Sequence, residues 1–280
     1  MPIDGKTKIA GVIGFPVKHS LSPFMHNYWL DQYNINGAYI PLGVEPENFA
    51  DVFRALKTCG FLGFNVTIPH KEIALKLCDE VDPEAARIGA VNTVVFRNGR
   101  AEGYNTDVEG FIKGLQINNV DMRGKRTVVI GAGGAARAVC AALESLEVAG
   151  LVICNRDTNK ASEMAGFLKT PHNIINYQEL DTFLESASLV VNTTPLGMNG
   201  NPELVINQQI TPPECAFYDL IYNPLQTGFL KTAESLGRKT INGLDMLIHQ
   251  AIPGFQMWFG ESPQVTEEFR ELMVGKVKLG

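Results

Sequence analysis

Residues 128–137 read Val-Val-Ile-Gly-Ala-Gly-Gly-Ala-Ala-Arg, VVIGAGGAAR. Three β-branched residues predict a buried strand, the glycines a tight turn, and the alanines that follow the first turns of a helix. In a strand–turn–helix of this kind Gly131 permits the turn and Gly133 lets a pyrophosphate approach the backbone. Ala136 is the third small position, where the helix must pack closely on the sheet. A lone GxGxxA says little, but set between an apolar strand and an alanine-rich helix it is the opening of a dinucleotide-binding βαβ unit.

The flanking sequence repeats that rhythm. Apolar strands are expected at 126–130, 150–154, 187–192, 215–221 and 239–242, with helical segments between them. Alternation of this sort marks a parallel sheet covered by helices on both faces. At the end of the second strand, ICNRDTNK offers Asn155 and Arg156, with Lys160 one helical turn on. An uncharged residue followed by two cations suits a ribose 2′-phosphate, so NADP is favoured. Asp157 stands among them and pulls toward the ribose hydroxyl of NAD. An exposed helix lysine accounts for Lys160 equally well. Downstream, VNTTPLGM (191–198) and YDLIYNP (218–224) leave their strands through polar residues and prolines, where a bound nucleotide would be met.

The first half is less regular. Strands are expected at 8–14, 38–42 and 61–67, and at 90–96 and 101–104 around the hairpin signal Asn98-Gly99. Helices are expected from Ser22-Pro23 to about Gln32, and at 47–58, 70–79 and 107–117. Thr106 and Glu109 have capping-box spacing for the last of these. Within NVTIPHK (65–71), Thr67 or Ile68 would cap a helix and Pro69 would be its first residue. Lys71 then sits in the first turn, where the helix dipole disfavours a cation. The same field eases loss of its proton, which suits a proton donor. Helical segments at 245–259 and 264–274 close the chain.

At 280 residues the chain is long enough for two domains. Its 24 basic and 30 acidic residues leave a net charge of −6 without a basic block, which argues against nucleic acid. No apolar run approaches the roughly 20 residues that span a bilayer, so no membrane partner is expected. The N-terminus, Met-Pro-Ile-Asp-Gly-Lys, lacks a signal-peptide core. Cys59, Cys78, Cys140, Cys154 and Cys215 form no CxxC pair and no metal-ligand spacing. Core thiols in a reducing cytoplasm, and no metal, are the expectation.

Several motifs, taken in order, resemble one family. They are Ser20-Leu-Ser22-Pro23, Asn65 to Lys71, Gly89-Ala-Val-Asn92-Thr93 and Tyr104-Asn-Thr-Asp107. They continue through Gly131 to Ala135, Asn155-Arg156, Asn192 to Pro195, Asp219 to Pro224, and Gly243-Leu-Asp-Met246 to Gln250. The set, over about residues 8–260, is similar to the shikimate dehydrogenase family, which reduces 3-dehydroshikimate to shikimate with NADPH. The resemblance implies that Lys71 and Asp107 are the catalytic pair. Lys71 would supply a proton or stabilise the alkoxide, and Asp107 would orient it and bind a neighbouring hydroxyl. An acid in a first helical turn is favourable without catalysis, so Asp107 rests on the resemblance.

The same resemblance makes Ser20 and Ser22 ligands of a substrate carboxylate; Ser22 before Pro23 also reads as a helix cap. Asn65, Thr67, Asn92 and Gln250 would bond the ring hydroxyls, with Tyr222 lining the pocket. Gly131, Gly133, Gly134, Ala135, Asn155, Arg156, Asp157, Lys160, Thr193, Gly243 and Met246 would meet the cofactor, Met246 having core packing as its other reading. His19 and His70 receive no role.

The expected architecture is α/β in two parts. An α/β substrate domain covers 1–107 and is completed by 243–280; a Rossmann-type, doubly wound nucleotide domain covers 108–242. The return of the C-terminal helices to the first domain comes from the resemblance alone, as does hydride transfer in a cleft between the two. The leading reading is a cytoplasmic, NADP-dependent shikimate dehydrogenase, monomer or homodimer. A quinate/shikimate dehydrogenase using NAD, or both cofactors, is the alternative; Ser20-Leu-Ser22 favours shikimate. A non-catalytic nucleotide sensor is the third reading, and an intact Lys71 and Asp107 argue against it.

Overall fold

The computed structural model describes residues 3–279; residues 1, 2 and 280, counted above within the first domain, lie outside them. Contacts divide the chain into two compact units, Met1–Thr106 with Ile248–Gly280 and Asp107–Leu247.

The first unit opens with β1 (Lys8–Gly14), α1 (Ser22–Gln32), β2 (Gly37–Gly43), α2 (Phe49–Thr58) and β3 (Gly63–Val66). It continues through α3 (Lys71–Leu77), β4 (Glu80–Val81), α4 (Pro83–Ile88), β5 (Thr93–Arg97) and β6 (Arg100–Tyr104). The sheet order is β2-β1-β3-β5-β6-β4. β1 runs parallel to β2 and β3, whereas β5 is antiparallel to β3 and to β6. Asn98 (φ 52°) and Gly99 (φ 74°) close the β5–β6 hairpin in the doubly left-handed conformation that the Asn-Gly pair tolerates. Phe53, Phe64 and Phe96 meet edge to face at 5.4–5.8 Å in the core under this sheet.

The second unit runs α5 (Asp107–Ile117), β7 (Arg126–Ile130), α6 (Gly134–Ser145), β8 (Gly150–Cys154), α7 (Thr158–Ala165) and β9 (His172–Ile175). Then come α8 (Leu180–Leu184), β10 (Leu189–Asn192), β11 (Ala216–Asp219), α9 (Gly228–Ser235) and β12 (Lys239–Ile241). The division at 247/248 falls within α10 (Leu244–Phe259), and α11 (Glu267–Leu279) ends the first unit. All strands of the second sheet are parallel, in the order β12-β11-β10-β7-β8-β9. Winding therefore reverses between β7 and β10, the switch point of a doubly wound Rossmann-type fold. Val129, Ile153 and Val191 pack on one face with Val139 and Leu143 of α6. Val128, Val152 and Val190 pack on the other with Leu184 and Phe229. Burial on both faces is why these strands read as unbroken apolar runs.

Local departures from expectation have local causes. The helix expected from about residue 70, with Pro69 as its first residue, begins at Lys71, with His70 at the cap. Thr67 does not cap it; its carbonyl instead closes a turn by accepting the His70 N–H at 3.0 Å. Ser22 is not the cap of α1 either: Leu21 holds that place, and Ser20 Oγ accepts the Ser22 N–H at 3.3 Å. The last helix lies at Glu267–Leu279 rather than 264–274. The short strands β4 and β9 have too few apolar residues to announce themselves. Cys140, Cys154 and Cys215 are buried, but Cys59, just beyond α2, is exposed and so is not a core thiol.

Candidate active site

Of the residues singled out above, Ser20, Ser22, Asn65, Thr67, Lys71, Asn92 and Gln250 fall in the first unit. Asp107, Tyr222 and every nucleotide candidate fall in the second. Each group is built by its own sheet.

In the first unit β3 and β5 pair with Asn65 opposite Thr93. Two amides sit there, nearly sealed from solvent, with Asn65 5% and Asn92 2% exposed. Neither is left to hydrogen-bond at random. Tyr39 Oη donates to Asn65 Oδ1 at 2.5 Å, while Asn65 Nδ2 donates to Thr93 Oγ1 at 3.0 Å and to the Asn92 carbonyl at 3.3 Å. Asn92 Oδ1 accepts the Thr106 N–H at 2.8 Å, and its Nδ2 donates to Thr106 Oγ1 at 3.0 Å and Gln250 Oε1 at 3.3 Å. Because a backbone carbonyl only accepts and a backbone N–H only donates, the orientation of both amides is fixed by chemistry. The predicted Asn65, Asn92 and Gln250 thus belong to one network. Tyr39, Thr93 and Thr106 complete it and were not foreseen as its members. Strand alternation was a signal for the first two, but Tyr39 and Thr93 lie 26 and 28 residues from Asn65, beyond the reach of local pattern.

Lys71 follows directly on a buried histidine. His70 stacks on Phe49 (4.4 Å between centroids, 5° between planes), and its Nε2 donates to the Val44 carbonyl at 2.8 Å. Burial holds its pKa below the ordinary histidine value, so the ring is neutral near pH 7. The Lys71 carbonyl accepts the Val91 N–H at 3.0 Å, fixing the start of α3 against the approach to β5. Lys71 itself is half-buried and Asp107, in the first turn of α5, is buried.

In the second unit Gly131 has φ 116°, and a Cβ there would come within 2.4 Å of Thr193 Oγ1. Thr193 in turn donates through Oγ1 to the Ile130 carbonyl at 2.7 Å. Only glycine satisfies that turn. At Gly133 a Cβ would meet nothing within 4 Å, so packing does not explain the glycine. What it opens is the N-terminus of α6, whose first turn carries no acidic residue. Gly134 and Ala135 begin that helix, so their N–H groups are among those left for an anion. The cradle fits a dinucleotide pyrophosphate.

Just after β8 stands Asn155 rather than an acid, and its Nδ2 donates to the Asp157 carbonyl at 2.8 Å. Asp157 is the cap of α7, accepting the Lys160 N–H at 3.1 Å. Its charge is engaged at a helix N-terminus, while Arg156 and Lys160 remain exposed beside it. Gly243 has a packing reason, because a Cβ would lie 2.0 Å from the Leu220 carbonyl oxygen. Met246, 8% exposed, belongs to the core of this unit.

One buried carboxylate organises two loops at the carboxyl edge of this sheet. Asp219 accepts from Thr227 Oγ1 at 2.7 Å, the Ile221 N–H at 3.1 Å and Asn192 Nδ2 at 3.1 Å. Asn192 passes the constraint on, holding Thr194 N–H and Oγ1 with Oδ1 and the Leu196 carbonyl with Nδ2. Burial raises the Asp219 pKa to about 6. Among the described residues no group of His, Cys, Asp or Glu could hold a metal ion, and no helix is long and apolar enough to cross a membrane.

A Rossmann-type sheet with a phosphate cradle, and a separate α/β unit whose polar cluster is built from amides and hydroxyls, define the class of two-unit, dinucleotide-binding α/β proteins. Comparison with known proteins narrows it. Residues 12–94 match the family model for the shikimate dehydrogenase substrate binding domain, and residues 114–208 that for shikimate / quinate 5-dehydrogenase. A shikimate dehydrogenase (NADP(+)) of Paramagnetospirillum magneticum is 44% identical over 97% of this chain and 100% of its own. The Thermus thermophilus shikimate 5-dehydrogenase, solved with NADP(H) and shikimate, is 34% identical with a TM-score of 0.86, over 97% of this chain and 100% of that one. The Listeria monocytogenes shikimate 5-dehydrogenase, solved with shikimate and NAD, is 28% identical with a TM-score of 0.85, over 100% and 98%. The chain belongs to the shikimate dehydrogenase family.

Proposed function

We propose that the protein catalyses the reversible, NADP-dependent interconversion of 3-dehydroshikimate and shikimate. The observation that carries this is the 44% identity, over 97% of the chain, to a relative named shikimate dehydrogenase (NADP(+)). The first unit binds the substrate and the second the nucleotide. Gly131, Gly133, Gly134 and Ala135 receive the pyrophosphate on the N-terminus of α6, and Arg156 with Lys160 takes the 2′-phosphate. Asn155 in the ribose position and the capping role of Asp157 support NADP over NAD. When bound, the nicotinamide supplies or accepts a hydride.

The chain's own residues do the rest. Lys71 gives a proton to the oxygen of the reacting carbon as negative charge develops there, or takes it back in the oxidative direction. Asp107 accepts a hydrogen bond from the neighbouring ring hydroxyl and holds it in place. Ser20 and Ser22 bind the carboxylate, and Asn65, Thr67, Asn92, Gln250 and Tyr222 bind the ring. On this reading the protein is a cytoplasmic monomer or homodimer whose partner is a small molecule. The net charge of −6 supports that over nucleic acid.

Initial rates of shikimate and quinate oxidation, each with NADP and with NAD, test the assignment. Turnover of shikimate with NADP and little in the other three pairings is the expected result. Comparable rates with NAD would show Asp157 outweighing its basic neighbours. Absence of turnover in all four would remove the proposed function.

A further inference from the structure

Thr93 is fully buried, yet its hydroxyl lies at the meeting point of three polar side chains. Oγ1 accepts from Asn65 Nδ2 at 3.0 Å, donates to Asn92 Oδ1 at 3.0 Å and lies 3.2 Å from Thr106 Oγ1. On the other side of Asn65, Tyr39 Oη donates to Oδ1 at 2.5 Å. Tyr39 is itself held, 1% exposed, in a parallel stack on His26 at 3.9 Å. Both hydrogens of the Asn65 amide are therefore committed, one to Thr93 and one to the Asn92 carbonyl. One of the two lone pairs on Oδ1 is taken by Tyr39.

We propose that Thr93, with Tyr39, is a positioning residue that holds the Asn65 amide in the sense the Asn92 carbonyl fixes, so that Asn65 meets the ring only as a hydrogen-bond acceptor. This rests on the functional reading above and deepens it. Asn65 selects a ring position bearing a hydroxyl, which can donate, and rejects a carbonyl or ether there. A buried amide locked in one sense discriminates more sharply than one free to flip, because the wrong group leaves a polar atom unpaired. The flipped orientation is denied by the Asn92 carbonyl, at which it would aim the amide oxygen; Thr93 acts by engaging the second amide hydrogen and so holding the Asn65 side chain in place.

Thr93→Val keeps the volume and removes the hub, and Thr93→Ser restores the hydroxyl. The expected result is a KM for shikimate raised on the order of tenfold in Thr93→Val, the scale of one lost hydrogen bond at a buried polar site. The KM for NADP should be unchanged, and Thr93→Ser should return close to wild type. Should Thr93→Val not fold, Tyr39→Phe removes the other constraint with the His26 stack intact and should shift the same constant. Wild-type turnover with shikimate KM unaltered in the folded variants, or with both substrates' KM shifted alike, overturns the inference and leaves the function standing. No wild-type turnover of shikimate removes both.

Discussion

On the proposed function, Lys71 is the residue on which the chemistry turns. If it acts on charge that develops only in the transition state, Lys71→Ala should lower kcat by about 10²–10⁴ while the KM for shikimate changes little. Steady-state rates at saturating NADP decide this; a large KM rise with kcat intact would make Lys71 a binding residue. On the same proposal Arg156 carries the cofactor preference. Arg156→Ala should raise the KM for NADP by at least about tenfold, since a charge-assisted hydrogen bond contributes roughly 1.5–3 kcal/mol, and should leave the KM for NAD nearly unchanged. Most of these residues could be picked from the sequence because a motif fixes a residue's place in a turn. What the motif does not fix is the direction of an amide. Asn65 and Asn92 were legible as polar residues in NVT and AVNT, but the atoms each presents are set by the Asn92 carbonyl and the Thr106 N–H.

At the scale of elements, Asp219 joins the ends of β10 and β11 through Asn192 and Thr227. Burial raises its pKa from 3.8 to about 6. Between those values the folded state holds a proton that the unfolded chain has lost, so stability falls as pH rises through the window and is flat above it. The shift corresponds to at most about 3 kcal/mol. Asp219→Asn cannot titrate. Urea unfolding of both forms at pH 4.5 and pH 7 should therefore show the wild type losing stability relative to the variant over that interval. A pH-independent difference between them would mean that Asp219 stays charged throughout. Elements with strong periodicity, such as α6 and the strands of the second sheet, were readable because burial on both faces writes apolar runs. The span of α1 was read correctly, but its cap is Leu21 rather than Ser22, and α3 begins two residues after Pro69; Ser20 and Thr67 close turns just ahead of the helices, and cap preferences cannot distinguish a turn from a cap.

For the whole molecule, the division of labour between the units is the testable matter. Hydrogen exchange with shikimate alone should slow the amides of 63–71 and 92–106 in the first unit. NADP alone should slow those of 131–137 and 155–160 in the second. Protection in the reverse pattern would overturn the assignment of substrate to one unit and nucleotide to the other. The sequence by itself determined the doubly wound sheet, the phosphate turn after β7 and the family, because each depends on residue types at short, fixed spacing. Only the tertiary structure decided that the division falls at 247/248, inside α10, and that the amides are locked in one sense. Those outcomes depend on partners brought together from distant parts of the chain, such as Asn92 with Gln250 across 158 residues, and no local pattern encodes a contact of that range.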